Sequence, residues 1–117
     1  MPSQARRLTV EKITKSSIIL KWDEPLDNEL NETLKYDVEC CSCSSSKSAD
    51  CKEKYERAQY NPGQQNLTTT SVTISNLKHN SKYKFKVYSK NMISKPNNVP
   101  WKFTELHIST PEAVGEF

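Results

Sequence analysis

Apolar and polar side chains alternate along three long stretches of this chain, and that period of two limits its fold more than any other feature. Ile18, Leu20 and Trp22 alternate with Ser17, Ile19 and Lys21; Leu34, Tyr36, Val38 and Cys40 with Lys35, Asp37 and Glu39; Tyr83, Phe85 and Val87 with Lys82, Lys84 and Lys86. Successive strand residues point to opposite faces, so each set buries one face and wets the other. Shorter stretches repeat the habit at Leu8–Val10, Val72–Ile74 and Leu106–Ile108. No eleven-residue window carries the i, i+3, i+4, i+7 stripe of an amphipathic helix. The pattern predicts an all-β chain.

Turn residues separate these stretches: Pro25 to Glu29, Asn61-Pro62-Gly63, Asn76 to Ser81, and Lys95 to Pro100. Nine Asn stand beside only 2 Gly, so Asn is expected to do the turn work that Gly does elsewhere. Residues 41–58 are different, a serine-rich and charged stretch with no apolar face that reads as one long loop. This spacing predicts about seven strands in two packed sheets. At 117 residues there is room for one domain, spanning 1–117 with a core over about 4–111. Residues 112–117 form a tail in which Gly115-Glu116-Phe117, like Met1, has the look of a cloning remnant. Leu, Ile, Val and Phe supply only 23 of the 117 residues, near the limit for building a core, but a net charge of +3 is too small for a disordered polyelectrolyte.

The same composition narrows function. The longest aliphatic run, Ile18-Ile19-Leu20, cannot span a bilayer, and residues 1–7 have no apolar stretch of the signal-peptide kind. With 2 Gly, neither GxGxxG nor GxxxxGK[ST] can be written. His79 and His107 stand far apart, and no ordered Ser-His-Asp set is present. Asp23, Glu24, Asp27 and Glu29 cluster after Trp22, yet that loop lacks the Gly turn of a calcium loop. No enzyme and no cofactor are expected. Cys40, Cys41, Cys43 and Cys51 fall within twelve residues. Zinc would want a second CxxC or a nearby His pair. Two disulfides, with three possible pairings, fit better and point to an oxidising compartment. Crosslinking so polar a loop would remove entropy from the unfolded chain.

Trp22 lies three residues before Pro25 on the second strand pattern, Tyr36 on the third, and Leu77 six residues before Tyr83. That set resembles a fibronectin type III domain, in which the tryptophan plugs the space between the sheets and the corner tyrosine bonds back to backbone near the leucine. Over nearly the whole chain, and above all from Tyr36 to Ser75, the sequence is similar to the first fibronectin type III domain of Eph receptor tyrosine kinases. Cys40 and Cys43 match the first two cysteines of that pattern and Cys51 the third. Gln59-Tyr60, Pro62, Gln64, Leu67-Thr68 and Val72-Thr73-Ile74-Ser75 fall at the family's spacing, and Leu106 to Thr110 before Pro111 is similar to its last strand and exit. There are departures: Lys54 stands where a fourth cysteine is expected, Cys41 is extra, and Asn91-Met92 replaces an Asn-Gly turn. Two family-like disulfides therefore cannot form unless Cys41 takes a relocated role. A divergent member of the family, as from an invertebrate, fits these changes.

The resemblance implies an extracellular, non-catalytic module excised from a plasma-membrane receptor. It would serve as spacer and clustering surface in ephrin signalling, with neighbouring receptor domains, a protein partner or a sister receptor as its contacts. It would meet the membrane only through the parent chain. The alternative is a ligand-binding domain of another adhesion or cytokine-type receptor, against which the absence of a WSxWS-like segment counts. Lys82, Lys84 and Lys86 read as a solvated strand face paired with Asp37 and Glu39, ahead of a heparan sulfate or anionic lipid surface. Tyr83 and Phe85 point inward, away from any nucleic-acid base. Tyr88 faces outward by the same alternation, and Met92, Ile93 and Trp101 are candidate contact residues at one end of the sandwich. Asn31-Glu32-Thr33 and Asn66-Leu67-Thr68 are glycosylation sequons.

Overall fold

A computed structural model describes residues 5–25, 34–43, 51–91 and 102–112. Its elements are all strands: β1 Arg6–Ile13, β2 Ile18–Asp23, β3 Leu34–Ser42, β4 Glu53–Lys54, β5 Gln59–Asn61, β6 Ser71–Ser75, β7 Lys82–Asn91 and β8 Phe103–Ser109. Two antiparallel four-stranded sheets pack face to face, ordered β1-β2-β6-β5 and β4-β3-β7-β8. The all-β sandwich expected from the alternation is what forms.

The inward set of each alternating stretch makes the core. Ile18, Leu20 and Trp22 from β2 and Val72 and Ile74 from β6 meet Tyr36, Val38 and Cys40 from β3 and Tyr83, Phe85 and Val87 from β7. Trp22 meets the Tyr36 ring edge-on, with centroids 5.4 Å apart and planes at 67°, an arrangement that brings a positive ring edge to a negative face. Leu77 joins the same cluster. Tyr36 also forms an isolated bridge to Leu67, which ties the segment before β6 across to the other sheet.

Asn takes over from Gly at the turns. Asn66, Asn76 and Asn80 all have positive φ (56°, 64° and 50°), a region where Asn is tolerated better than most residues, and no described Gly has one. Among the described residues Arg7 is the fourth with positive φ, at 53°, within a register shift between Arg6 and Thr9 on β1. Its guanidinium reaches Asp23 at 3.0 Å.

Residues 41–58 depart from the reading as one loop without an apolar face. β4 pairs Lys54 with Cys41 and Glu53 with Ser42, making an eighth strand. The Tyr55 N–H then donates to the Cys40 carbonyl at 2.8 Å. Tyr55 and Ala58 pack against the core, and the Tyr55 ring meets Tyr83 edge-on at 5.1 Å. A single aromatic followed by a small residue has no periodicity to announce it, so the pattern alone missed this anchor. Truncating Trp22 to Ala would open a cavity between the sheets and is expected to cost about 3–5 kcal/mol. Urea unfolding of the variant checks this; an unchanged midpoint would mean that the sheets are not held apart by that ring.

Candidate interaction surface

Three features stand out in the sheet of β4, β3, β7 and β8: the tyrosine corner at its lower end, the cysteine cluster along β3, and its outer face. At the corner, the Lys78 N–H donates to the Tyr83 hydroxyl oxygen at 2.8 Å. The Tyr55 hydroxyl donates to the Asn76 carbonyl at 2.7 Å, and the Asn76 amide donates to the Arg57 carbonyl at 2.9 Å. The Thr110 hydroxyl donates to the Lys78 carbonyl at 2.7 Å and accepts the Ser81 N–H at 3.0 Å. These bonds fasten the 41–58 stretch, the β6–β7 turn and the exit from β8 to one another. Burial pushes the Tyr83 hydroxyl up to about 12, against the opposing effect of the Lys78 hydrogen bond.

One disulfide forms among the four cysteines, Cys43 with Cys51, eight residues apart. Cys40 and Cys41 are free thiols, and both are buried. The expectation of two disulfides is therefore corrected, for a simple geometric reason. Adjacent strand residues face opposite sides: Cys40 points inward in register with Phe85, and Cys41 outward in register with Lys84 and Lys54. Their sulfurs are on opposite sides of the sheet, and Cys51 is committed to Cys43. Burial raises both thiols. Cys40 reaches about 12, with Cys41 and Glu39 adding to the shift. For Cys41, Glu39 adds to the effect of burial while Lys84, Lys86 and Lys54 oppose it. Burial also limits access to both thiols.

On the outer face the register sets out successive rows: Cys41–Lys84–His107, Glu39–Lys86–Glu105 and Asp37–Tyr88–Phe103, with Lys54 beside Cys41. Lys82, Lys84, Lys86 and Tyr88 share this face, as the alternation requires. Lys86 stands in register with Glu39, but the ion pairs to the acids come from Lys90 and Lys54. Asp37 pairs with Lys90 at 3.0 Å, and the same ammonium donates to the Asn66 side-chain oxygen at 2.7 Å. Glu39 takes Lys54 at 3.7 Å and the Tyr88 hydroxyl at 3.2 Å. Lys86 lies over the Phe103 ring at 4.6 Å, a cation–π contact, and Tyr88 packs on the same ring at 5.3 Å. Burial followed by the Glu39 carboxylate pushes Tyr88 up to about 12. Lys84 sits between Cys41 and His107, a row without a carboxylate. Phe103, Glu105 and His107 were not singled out from sequence as surface residues, although the Leu106–Ile108 alternation already places them outward. Asn66 is exposed, whereas Asn31, Met92, Ile93 and Trp101 lie outside the described residues. Among the described residues no three His, Cys, Asp or Glu side chains are grouped to hold a metal ion.

Residues 3–101 match the family of the fibronectin type III domain. The chain belongs to that family. Its sandwich superposes on the FN1–FN3 domains of chicken CNTN1 with a TM-score of 0.64 and 17% identity, covering 94% of this chain and 33% of that one. A fourth human FNIII domain gives 0.67 and 22% over 100% of this chain and 85% of that one. Among characterised proteins, the domain is 30% identical to ephrin type-B receptor 3 of Mus musculus over 118 residues, which is 97% of this chain and 12% of the receptor. It is 28% identical to ephrin type-B receptor 2 of Gallus gallus over 94% of this chain and 11% of the receptor. It thus spans about an eighth or less of these relatives' length. The fibronectin type III domain is a non-catalytic sandwich, and this one is not an enzyme.

Two measurements follow from the buried thiols and tyrosines. Ellman titration should find no fast-reacting thiol in the native domain, two after denaturation and four after reduction as well; a rapidly labelled native thiol would contradict the burial of Cys40 and Cys41. The second is alkaline stability. Cys40, from an ordinary 9.0, and Tyr36, Tyr83 and Tyr88, from 10.0, are all raised to about 12 by burial. The native state holds these protons more tightly than the unfolded chain, so their contribution is fully present below the unfolded values and is lost as pH climbs to the folded ones. Urea midpoints should stay level up to about pH 9 and fall between about pH 9 and 12. A flat alkaline profile would argue against these assignments.

Proposed function

We propose that this fibronectin type III domain is an extracellular spacer of an Eph-like cell-surface receptor, setting reach and orientation and offering its outer face for clustering in ephrin signalling. The observation that carries this reading is the 28–30% identity to ephrin type-B receptors over 94–97% of the chain. The Cys43–Cys51 disulfide fits an oxidising environment. Neighbouring receptor domains are the first partners, and a sister receptor the next. The proposed glycosylation sites are Asn66, which is exposed, and Asn31. The membrane enters only through the parent chain, and a glycosaminoglycan or anionic lipid is a lesser partner because acidic residues are interleaved with the lysines.

Domain replacement in the parent receptor tests this. Exchanging the module for an unrelated fibronectin type III sandwich of equal length should leave ephrin affinity unchanged and lower ligand-induced phosphorylation only part-way, because reach is kept and the clustering surface is lost. Deleting it should leave affinity unchanged and lower phosphorylation. Specific binding of an ephrin ectodomain to the isolated domain, or loss of ligand affinity on exchange, would overturn the spacer reading in favour of direct recognition.

A further inference from the structure

Among the described residues the two sheets have four edge strands, and they are not equally protected. β4 has two residues and β5 three. β1 is interrupted by register shifts between Arg6 and Thr9 and between Val10 and Lys12, with Arg7 at positive φ. Short edges and bulges are the usual means of preventing another strand from adding on. β8 has neither. Its seven residues run in unbroken register with β7, from Ser109 opposite Lys82 to Phe103 opposite Tyr88, and no proline lies within it.

The backbone groups facing away from β7 can be assigned. The Ser89 N–H donates to the Lys102 carbonyl at 3.0 Å and the Thr110 N–H to the Ser81 carbonyl at 2.8 Å. Bonded pairs alternate along an antiparallel ladder, so Thr104, Leu106 and Ile108 bond to β7. The N–H and C=O groups of Phe103, Glu105, His107 and Ser109 then point the other way, where no described strand hydrogen-bonds to them, although β1 of the other sheet comes close to β8. The side chains of these four residues are exposed, Phe103 at 38%, while Thr104, Leu106 and Ile108 are half-buried.

We infer that β8 is a homotypic edge, pairing antiparallel with β8 of a second copy of this chain to join the two four-stranded sheets into one. Leu106 is the midpoint of β8, so a two-fold axis there gives the fullest overlap. It also sets Glu105 opposite His107 of the second copy, twice, and Phe103 opposite Ser109. Centring on Glu105 or on His107 would instead set like residues face to face. The flanking charges agree with the Leu106 register. Lys86 lies beside Glu105 and Lys84 beside His107, so the junction reads Lys86–Glu105, then His107–Lys84 of the second copy. The two Leu106 side chains meet in a non-hydrogen-bonded pair, where side chains approach most closely. The inference deepens the clustering part of the proposed function by naming its partner and strand. Its failure would leave the spacer part intact, since that part is read by domain exchange.

Sedimentation equilibrium of the 117-residue chain, from micromolar to millimolar concentration, tests it. The chain should show a monomer–dimer equilibrium. Glu105→Lys sets cation against imidazole at both junctions, and His107→Glu sets two carboxylates together. Each should weaken dimerisation about tenfold or more. The double variant Glu105→Lys/His107→Glu sets opposite charges across the axis and should return the dissociation constant to within a few-fold of the original. Thermal melting confirms that each variant is folded. A chain that stays monomeric throughout, a dimer indifferent to the single variants, or a double variant that does not recover would each overturn the β8 edge.

Discussion

The ladder between β3 and β7 governs the rest of the domain. Nine register pairs run from Leu34 opposite Asn91 to Ser42 opposite Tyr83 without a shift. One parity of this ladder supplies Tyr36, Val38, Cys40, Tyr83, Phe85 and Val87 to the core; the other supplies Asp37, Glu39, Lys84, Lys86 and Tyr88 to the outer face. A slip of one residue would exchange the two sets, burying charge and exposing aromatics. The interior thus fixes where the outer charges stand, and every surface feature described above inherits its position from a packing requirement.

Among the described residues the few aliphatic side chains almost all lie in the core or against it, where four aromatic rings join them, and local polar ties hold the ends. Trp22 on Tyr36 and Tyr55 on Tyr83 are edge-on pairs at opposite ends of the sandwich. The corner joins Tyr83, Tyr55, Asn76 and Thr110 through bonds to backbone carbonyls and amides, half-buried at Lys78 and Ser81 and exposed at Asn76. Such bonds contribute modestly when made but are costly to lose when one partner stays buried. The apolar cluster between the sheets remains what joins them, and these bonds fix the corner at its end.

Much of this was legible in the sequence. Strand period, the Trp22–Tyr36 and Leu77–Tyr83 signatures and the use of Asn in turns all rest on local chemistry that a single chain carries openly. What was not legible depends on pairing. Tyr55 looked like part of a polar loop because its anchor partners, Cys40, Asn76 and Tyr83, are distant in sequence. The lysines of β7 were matched to the right acids but the wrong bonds: Lys90 and Lys54, outside the 82–84–86 run, take Asp37 and Glu39. Period two gives the face of a side chain; only the register and the reach of its neighbours decide which charge it meets.

The cysteines show the same division. Cys41 and Lys54, the two departures from the Eph-like cysteine pattern, prove to be direct register partners across β3 and β4. Where that pattern would place a fourth thiol, this domain has an ammonium that turns toward Glu39, and opposite it a thiol kept protonated by burial and by the same glutamate. β4 is nevertheless fastened on both sides, by the Cys43–Cys51 disulfide before it and by the Tyr55 N–H on the Cys40 carbonyl after it. One covalent closure and one backbone bond are enough to hold a two-residue strand, because Tyr55 then carries the chain directly into the core. The extra thiol at Cys41 is therefore free to act as a small buried side chain. It lies buried between its register partners Lys54 and Lys84.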